Sequence, residues 1–249
     1  MQKKILIIMA MASEAEPIIN QLSLASIENI LPASLPAQTY RSPSDFTHDV
    51  FLAVNCHCSR FGVPRVGSQA ASILTWEAIR SVQPDLVINA GTAGGSLAMG
   101  AAVGDVFVST ECLRYHDRNF HPTDENFYQY AIGSYPCFDS SMLAKQLNLK
   151  TGIISTGNSF ISSRQERQQF KENQAAVKDM EASAIAEVAQ LLNVPFMALK
   201  VITDLIDIED CPQKQFDNNF GNATEHLASV VKNVIKTIEI PAELPALKQ

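Results

Sequence analysis

Six apolar runs bounded by turn residues recur along the chain: ILIIMAM (5–11), VFLAVNC (50–56), DLVINAG (85–91), DVFVST (105–110), TGIISTG (151–157) and FMALKVITD (196–204). Most are continuous rather than alternating, which is the pattern of strands covered on both faces. Between several of them the period changes. VGSQAASILTWEAIRSV (66–82) and EASAIAEVAQLLN (181–193) carry apolar residues at i, i+3 and i+4, and NATEHLASVVKNVIKTI (222–238) reads as a C-terminal helix. Strands alternating with helices predict an α/β fold. It is a three-layer α/β/α sandwich around a twisted mixed, largely parallel sheet.

Two segments depart from these periods. Residues 24–48 are rich in Ser and Pro and read as a surface excursion. Residues 117–140, DRNFHPTDENFYQYAIGSYPCFDS, mix aromatic and polar positions with neither period, the mark of a long functional loop. The tail from 239 to 249 reads as frayed. There is no internal repeat and no linker, so residues 1–249 are expected to form one domain.

Composition adds limits to this picture. A chain of 249 residues buries roughly three quarters of its unfolded surface and needs neither disulfides nor structural metal to fold. The net charge of −7 disfavours nucleic acid and anionic membranes as partners. Five cysteines without framework spacing read as reduced thiols, so a cytoplasmic setting is expected. Cys56-His57-Cys58 lacks the second half that a metal site needs and reads as a strand end. Lys3 and Lys4 before an apolar run resemble a short signal sequence, but a buried first strand entering a helix is the preferred reading. No run approaches the roughly 20 apolar residues of a membrane helix.

In α/β sheets, ligands sit beyond the carboxyl ends of the strands. Three segments near these ends carry acids: Met11-Ala12-Ser13-Glu14, Asp179-Met180-Glu181 and Thr203-Asp204. Two are rich in Gly, Ser and Thr: Gly91-Thr92-Ala93-Gly94-Gly95 and Thr156-Gly157-Asn158-Ser159-Phe160-Ile161. None supplies a base at the strand tip, the nearest being Lys200 inside its strand. GTAGG has neither dinucleotide nor P-loop spacing. Each acid has a structural reading as well. Ser13 and Glu16 resemble a capping box, which would put Glu14 in a first helical turn. Glu181 stands at a helix start, and Asp204 could simply form a turn. Locally, both readings stay open.

Together, AMASEAE, NAGTAGG, RYHD (114–117), TGNSFI, DMEA (179–182) and ITDLID resemble the purine nucleoside phosphorylase/uridine phosphorylase family. Within it they resemble the 5′-methylthioadenosine/S-adenosylhomocysteine nucleosidases, in order, from about residue 4 to 236. RFGVPRVGSQAAS, TGNS and Lys200 are similar to the plant-type members, whereas many bacterial members have Arg in place of Lys200 and Glu in place of Asp179. The resemblance implies hydrolysis of an N-glycosidic bond to adenine and a 5-thioribose, in methionine salvage. By the same resemblance Asp204, beside Thr203, protonates adenine N7. Glu14 activates the attacking water, and Glu181, beside Asp179, accepts the ribose hydroxyls. Phe160 and Ile161 flank the adenine, Met180 underlies the ribose, and Thr92 and Gly94 line the site near the water. Met11, Phe61 and Phe216 are expected around the 5′-alkylthio group, with Phe61 and Phe120 narrowing it towards methylthioadenosine. The implied partners are a small nucleoside and a second copy of the chain, with 117–140 as the segment closing the 5′ pocket. No metal or cofactor is implied.

Three alternatives are weighed. A phosphorylase would need basic residues for phosphate, but MAMASEAE carries an acid that repels an anion. Futalosine hydrolases are closer relatives and remain an alternative. A non-catalytic nucleoside-binding or storage protein would be expected to have lost one of the three acids, and all three remain.

Overall fold

The structure is a computed structural model describing residues 2–109, 112–118, 120 and 123–241. Its organising strand is β1 (Lys4–Met9), which pairs in parallel with β4 (Asp49–Asn55) and with β5 (Leu86–Gly95). Ile5, Ile7 and Met9 point to one face of the sheet, where α1 (Ala12–Gln21) and α7 (Pro212–Thr237) bring Ile18, Leu227 and Val231, with Leu22 just after α1. Leu6 and Ile8 point to the other, against Leu74 and Ala78 of α2 (Ser68–Val82) and Ile185 of α6 (Ala182–Leu191). Both faces are thus covered. That is why the run is continuous, and why it forms a strand in the middle of a sheet. Each such side chain contributes about 2 kcal/mol by leaving water.

The sheet runs β2 (Ala25–Ile27), β3 (Ala37–Arg41), β4, β1, β5, β11 (Val177–Asp179), β10 (Ile154–Thr156), β7 (Cys112–Tyr115) and β8 (Tyr135–Pro136), and β12 (Phe196–Leu205) lies along β5 as a branch. On its other edge β12 pairs with β6 (Val106–Val108), which pairs with β9 (Lys150–Thr151). Six of the described strand pairings are parallel and five antiparallel, so the sheet is mixed. Several elements depart from the sequence reading. Part of the 24–48 excursion is a hairpin, β2 (Ala25–Ile27) and β3 (Ala37–Arg41), that extends the sheet beside β4. Its residues are largely exposed, so no buried run announces it.

The 117–140 segment contains α3 (Glu125–Ile132), capped by Asp124, whose carboxylate accepts the amides of Asn126 and Phe127. Only Ala131 of this helix is buried, while Phe127 and Tyr130 are more than half exposed, so no core-facing stripe exists to be read. Helix α7 starts at Pro212, where proline suits the first helical turn, rather than at 222. Ser13 and Glu16 form no capping box: α1 begins at Ala12 after Met11, without a side-chain cap. The box that does form joins Ser163 and Glu166 at the start of α5 (Arg164–Glu172). Ile238 and Ile240 pack into the core, and residues 242–249 of the expected frayed tail lie outside the described residues. No described helix is long and apolar enough to cross a membrane.

Candidate active site

The site is built on β5. On one edge its first half is paired with β1 as far as Asn89, and its last residues, Gly94 and Gly95, pair with β11 (Val177–Asp179). Among the described residues no strand pairs with Ala90–Ala93 on that edge, and here a cavity of about 250 Å³ opens. Glu14, in the first turn of α1, fills the gap in the ladder. The Thr92 amide donates to Glu14 Oε1 at 2.8 Å and the Thr92 hydroxyl to the same oxygen at 2.5 Å. Burial pushes the Glu14 carboxyl up, while the Thr92 bonds and the Lys200 charge oppose that.

A second acid arrives from β11. Asp179 Oδ1 accepts the Thr156 hydroxyl from β10 (Ile154–Thr156). Its Oδ2 accepts the amides of Glu181 and Ala182 at 3.2 and 2.7 Å. Asp179 therefore caps α6 and sets the start of that helix. Glu181 then lies at the cavity wall, where its Oε1 accepts the Gly67 amide at 2.8 Å. Burial pushes the Glu181 carboxyl up to about 7; Lys200 opposes this, and Asp179 and Glu14 reinforce it.

The third acid stands on a distortion. The register between β12 and β5 shifts between Ile202 and Asp204, so Thr203 is a bulged residue and Asp204 faces Gly94. A β-carbon on Gly94 would lie 3.1 Å from Asp204 Oδ2 and 2.6 Å from Ile206 Cγ2, so only glycine leaves this space. Thr203 Oγ1 donates to Asp204 Oδ1 at 2.9 Å. Burial raises the Asp204 carboxyl, against that bond and the Lys178 charge.

A buried cation balances Asp179, Glu181 and Glu14. Lys200 is 1% exposed, and its Nζ lies 2.8 Å from Asp179 Oδ2. Desolvation alone would lower its pKa, but Asp179, Glu181 and Glu14 outweigh this and hold it above the usual value. The same contact keeps Asp179 below the carboxylate range despite its burial. The remaining walls are mostly apolar. The Phe160 ring meets Phe216 of α7 edge to face with centroids 5.8 Å apart, and Met11, Val66, Met180 and Ile206 complete the surface with Gln213.

Met11, Glu14, Thr92, Gly94, Phe160, Asp179, Met180, Glu181, Thr203, Asp204 and Phe216, expected from sequence, all line this one cavity. Three expected residues do not: Phe61, Ile161 and Phe120, the last more than half exposed at a separate hollow with Arg118 and Tyr128, so it does not narrow this cavity within the chain. Phe61 is 68% exposed, lies under the Arg60 guanidinium in the loop before α2, and does not narrow the cavity within this chain. Ile161 lines a smaller neighbouring hollow of about 70 Å³. In the other direction, sequence reasoning missed Lys178. It faces the cavity from β11, and its Nζ donates to the carbonyls of Ser159 and Phe160 at 2.7 and 2.6 Å. β11 has only three residues and no apolar run; a lysine flanked by Val177 and the DMEA stretch was its only signal.

The model of the phosphorylase superfamily matches residues 4–236. The 5′-methylthioadenosine nucleosidase of Arabidopsis thaliana is 35% identical over 94% of this chain and 86% of its own. A 5′-methylthioadenosine/S-adenosylhomocysteine nucleosidase of the same plant is 36% identical over 94% and 91%. The structure of the Arabidopsis thaliana 5′-methylthioadenosine nucleosidase in apo form superposes with a TM-score of 0.90 at 32% identity, covering 96% of this chain and 98% of that one. The chain belongs to the phosphorylase superfamily, in its branch of 5′-methylthioadenosine/S-adenosylhomocysteine nucleosidases.

Proposed function

We propose that this protein hydrolyses the N-glycosidic bond of 5′-methylthioadenosine, releasing adenine and 5-methylthioribose. The observation that carries the reading is the convergence of Glu14, Glu181 and Asp204 on one largely apolar cavity, with Lys200 as counter-charge to Glu14 and Glu181 and Lys178 as counter-charge to Asp204. Adenine leaves as a neutral base when its N7 is protonated as the bond breaks. Asp204, whose burial favours the protonated form, is the donor. The sugar becomes oxocarbenium-like, and the carboxylate of Glu181 accepts its hydroxyls and favours the positive charge. Glu14, oriented by Thr92, takes a proton from water as it attacks C1′. Water rather than phosphate fits this end of the cavity. The Lys200 ammonium is engaged by Asp179, and Glu14 would repel an anion. Phe160 stacks on the adenine with Phe216 behind it, and Met180 underlies the ribose.

Met11, Val66, Ile206 and Phe216 offer apolar surface to a methylthio group. Gln213 is the one polar side chain among them, and its amide already donates to Asp217. A charged homocysteine tail finds no charged side chain among these described residues, so S-adenosylhomocysteine is the poorer substrate. The test is chromatography of each nucleoside incubated with the protein, with and without phosphate. Adenine and free methylthioribose at a phosphate-independent rate are expected, with slower release from S-adenosylhomocysteine. A sugar 1-phosphate formed only with phosphate would transfer the protein to the phosphorylases.

We further propose that two copies associate. Ile73 and Trp76 of α2, Phe61 and Val63 before it, and Phe127 and Tyr130 of α3 are all exposed apolar side chains that a second copy would cover. Light scattering after size exclusion should give twice the 27.2 kDa of one chain, and a single-chain mass at micromolar concentration would refute the association.

A further inference from the structure

Two separate segments that line the cavity are tied together by a residue outside it. Val66, Glu181 and Phe160 all line it. Helix α2 begins beside Val66, and its N-cap is Gly67, which has no side chain to offer. The acceptor comes instead from a residue ninety positions away. Asn158 Oδ1 accepts the Ser68 amide and the Ser68 hydroxyl, both at 2.9 Å. The first two amides of this helix entrance are therefore divided: Gly67 donates to Glu181 at 2.8 Å and Ser68 donates to Asn158. Glycine is required at 67 twice over. Its φ is +95°, and a β-carbon there would lie 2.9 Å from Asn158 Oδ1.

Asn158 is itself anchored. Its backbone amide and its Nδ2 both donate to Asp117 Oδ2 at 2.8 Å. This sets the orientation of the side-chain amide, because the opposite one would turn Nδ2 towards the Ser68 N–H. Two residues further on, Phe160 enters the cavity.

We propose that Asn158 is a positioning residue that clasps the Phe160 loop to the entrance of α2. It thereby holds Glu181 and Phe160 at the spacing a nucleoside needs, with Asp117 as its anchor. The inference rests on the nucleosidase reading for its kinetic consequence only. Asn158→Asp places two carboxylates against each other and opens the clasp. Adding Asp117→Asn removes the repulsion: the new amide donates to the carboxylate at 158, which still accepts from Ser68, and only the bond from the 158 backbone N–H is given up. Asn158→Asp alone should lower kcat/KM for 5′-methylthioadenosine about tenfold, the loss expected from two neutral hydrogen bonds. The change should fall mainly on KM, since the residue touches no reacting atom. The double variant should return to within about threefold of wild type.

Amide hydrogen exchange on the ligand-free protein supplies a readout without catalysis. Exchange at residues 67–68 should speed about tenfold in Asn158→Asp and recover in the double variant. An unchanged KM in Asn158→Asp, or a double variant no better than the single one, overturns the proposal. Faster exchange with unaltered kinetics also overturns it, leaving Asn158 as a strut. A wild type that cleaves no nucleoside refutes the nucleosidase reading instead; calorimetric affinity for adenine then replaces KM in the same comparison, with the same outcomes deciding.

Discussion

Replacing Asp204 with asparagine should lower kcat on 5′-methylthioadenosine by roughly 10²–10⁴-fold, the usual worth of a general acid. The amide keeps the shape and the bond from Thr203 but has no proton to release to N7. Stability should not suffer. Burial raises the Asp204 pKa in the folded state, so its ionisation opposes folding and the wild type loses stability as pH rises through that raised value. The neutral amide escapes that loss, and at pH 8 the variant should melt no lower than wild type. The wild-type rate should fall over the same interval, because the acid form is consumed. Turnover of the variant within tenfold of wild type would remove Asp204 from the mechanism.

Lys200→Met should damage fold and activity together. The ammonium is the counter-charge of Asp179, and the side chains are 2% and 0% exposed. Removing one partner of a buried pair costs about 3–5 kcal/mol, because the other charge is left without compensation. Here the loss spreads, since Glu181 and Glu14 also lean on Lys200. The pH dependence has a definite sign. In the wild type the depressed Asp179 pKa contributes stability that is present above the unfolded carboxylate value and lost as pH falls through the folded one. In the variant, Asp179 ionises against burial, so the deficit should be largest at neutral and alkaline pH and shrink towards pH 4. Denaturant titration at several pH values measures it. Adding Asp179→Leu should recover stability and not activity, since the cap that places Glu181 is gone. A deficit below about 1 kcal/mol at pH 8 would mean that the pair does not carry the cluster.

These two residues also mark how much was legible beforehand. Asp204 was visible because an acid follows eight residues of otherwise strand-like character in FMALKVITD. That it reaches the cavity depends on the bulge at Thr203, a register shift that no local pattern encodes. Lys200 was visible as a lysine inside a strand, but a strand buried on both faces offers no solvent, and its partner lies 21 positions away in another element. Glu14 looked like a helix-cap acid. Its real partner is an unpaired amide of β5, exposed because β1 ends early.

The sequence by itself determined the buried strands, the helices that cover them and the identity of most of the cavity's residues. Continuous apolar runs and polar strand ends are local consequences of burial, and motif order along the chain carries the rest. Only the tertiary structure decided what depends on contacts between distant segments or on surfaces that face no core. Lys178 sits on a three-residue strand recognisable only through its neighbours, and Phe61, a pocket residue by its motif, lies in solvent. The aromatic residues of α3 carry no stripe because the helix shows them to solvent rather than to the sheet. Asn158 reads as a polar loop residue until Ser68 and Asp117 are brought to it, because hydrogen-bond geometry between segments is set by the packed sheet and not by the order of residues.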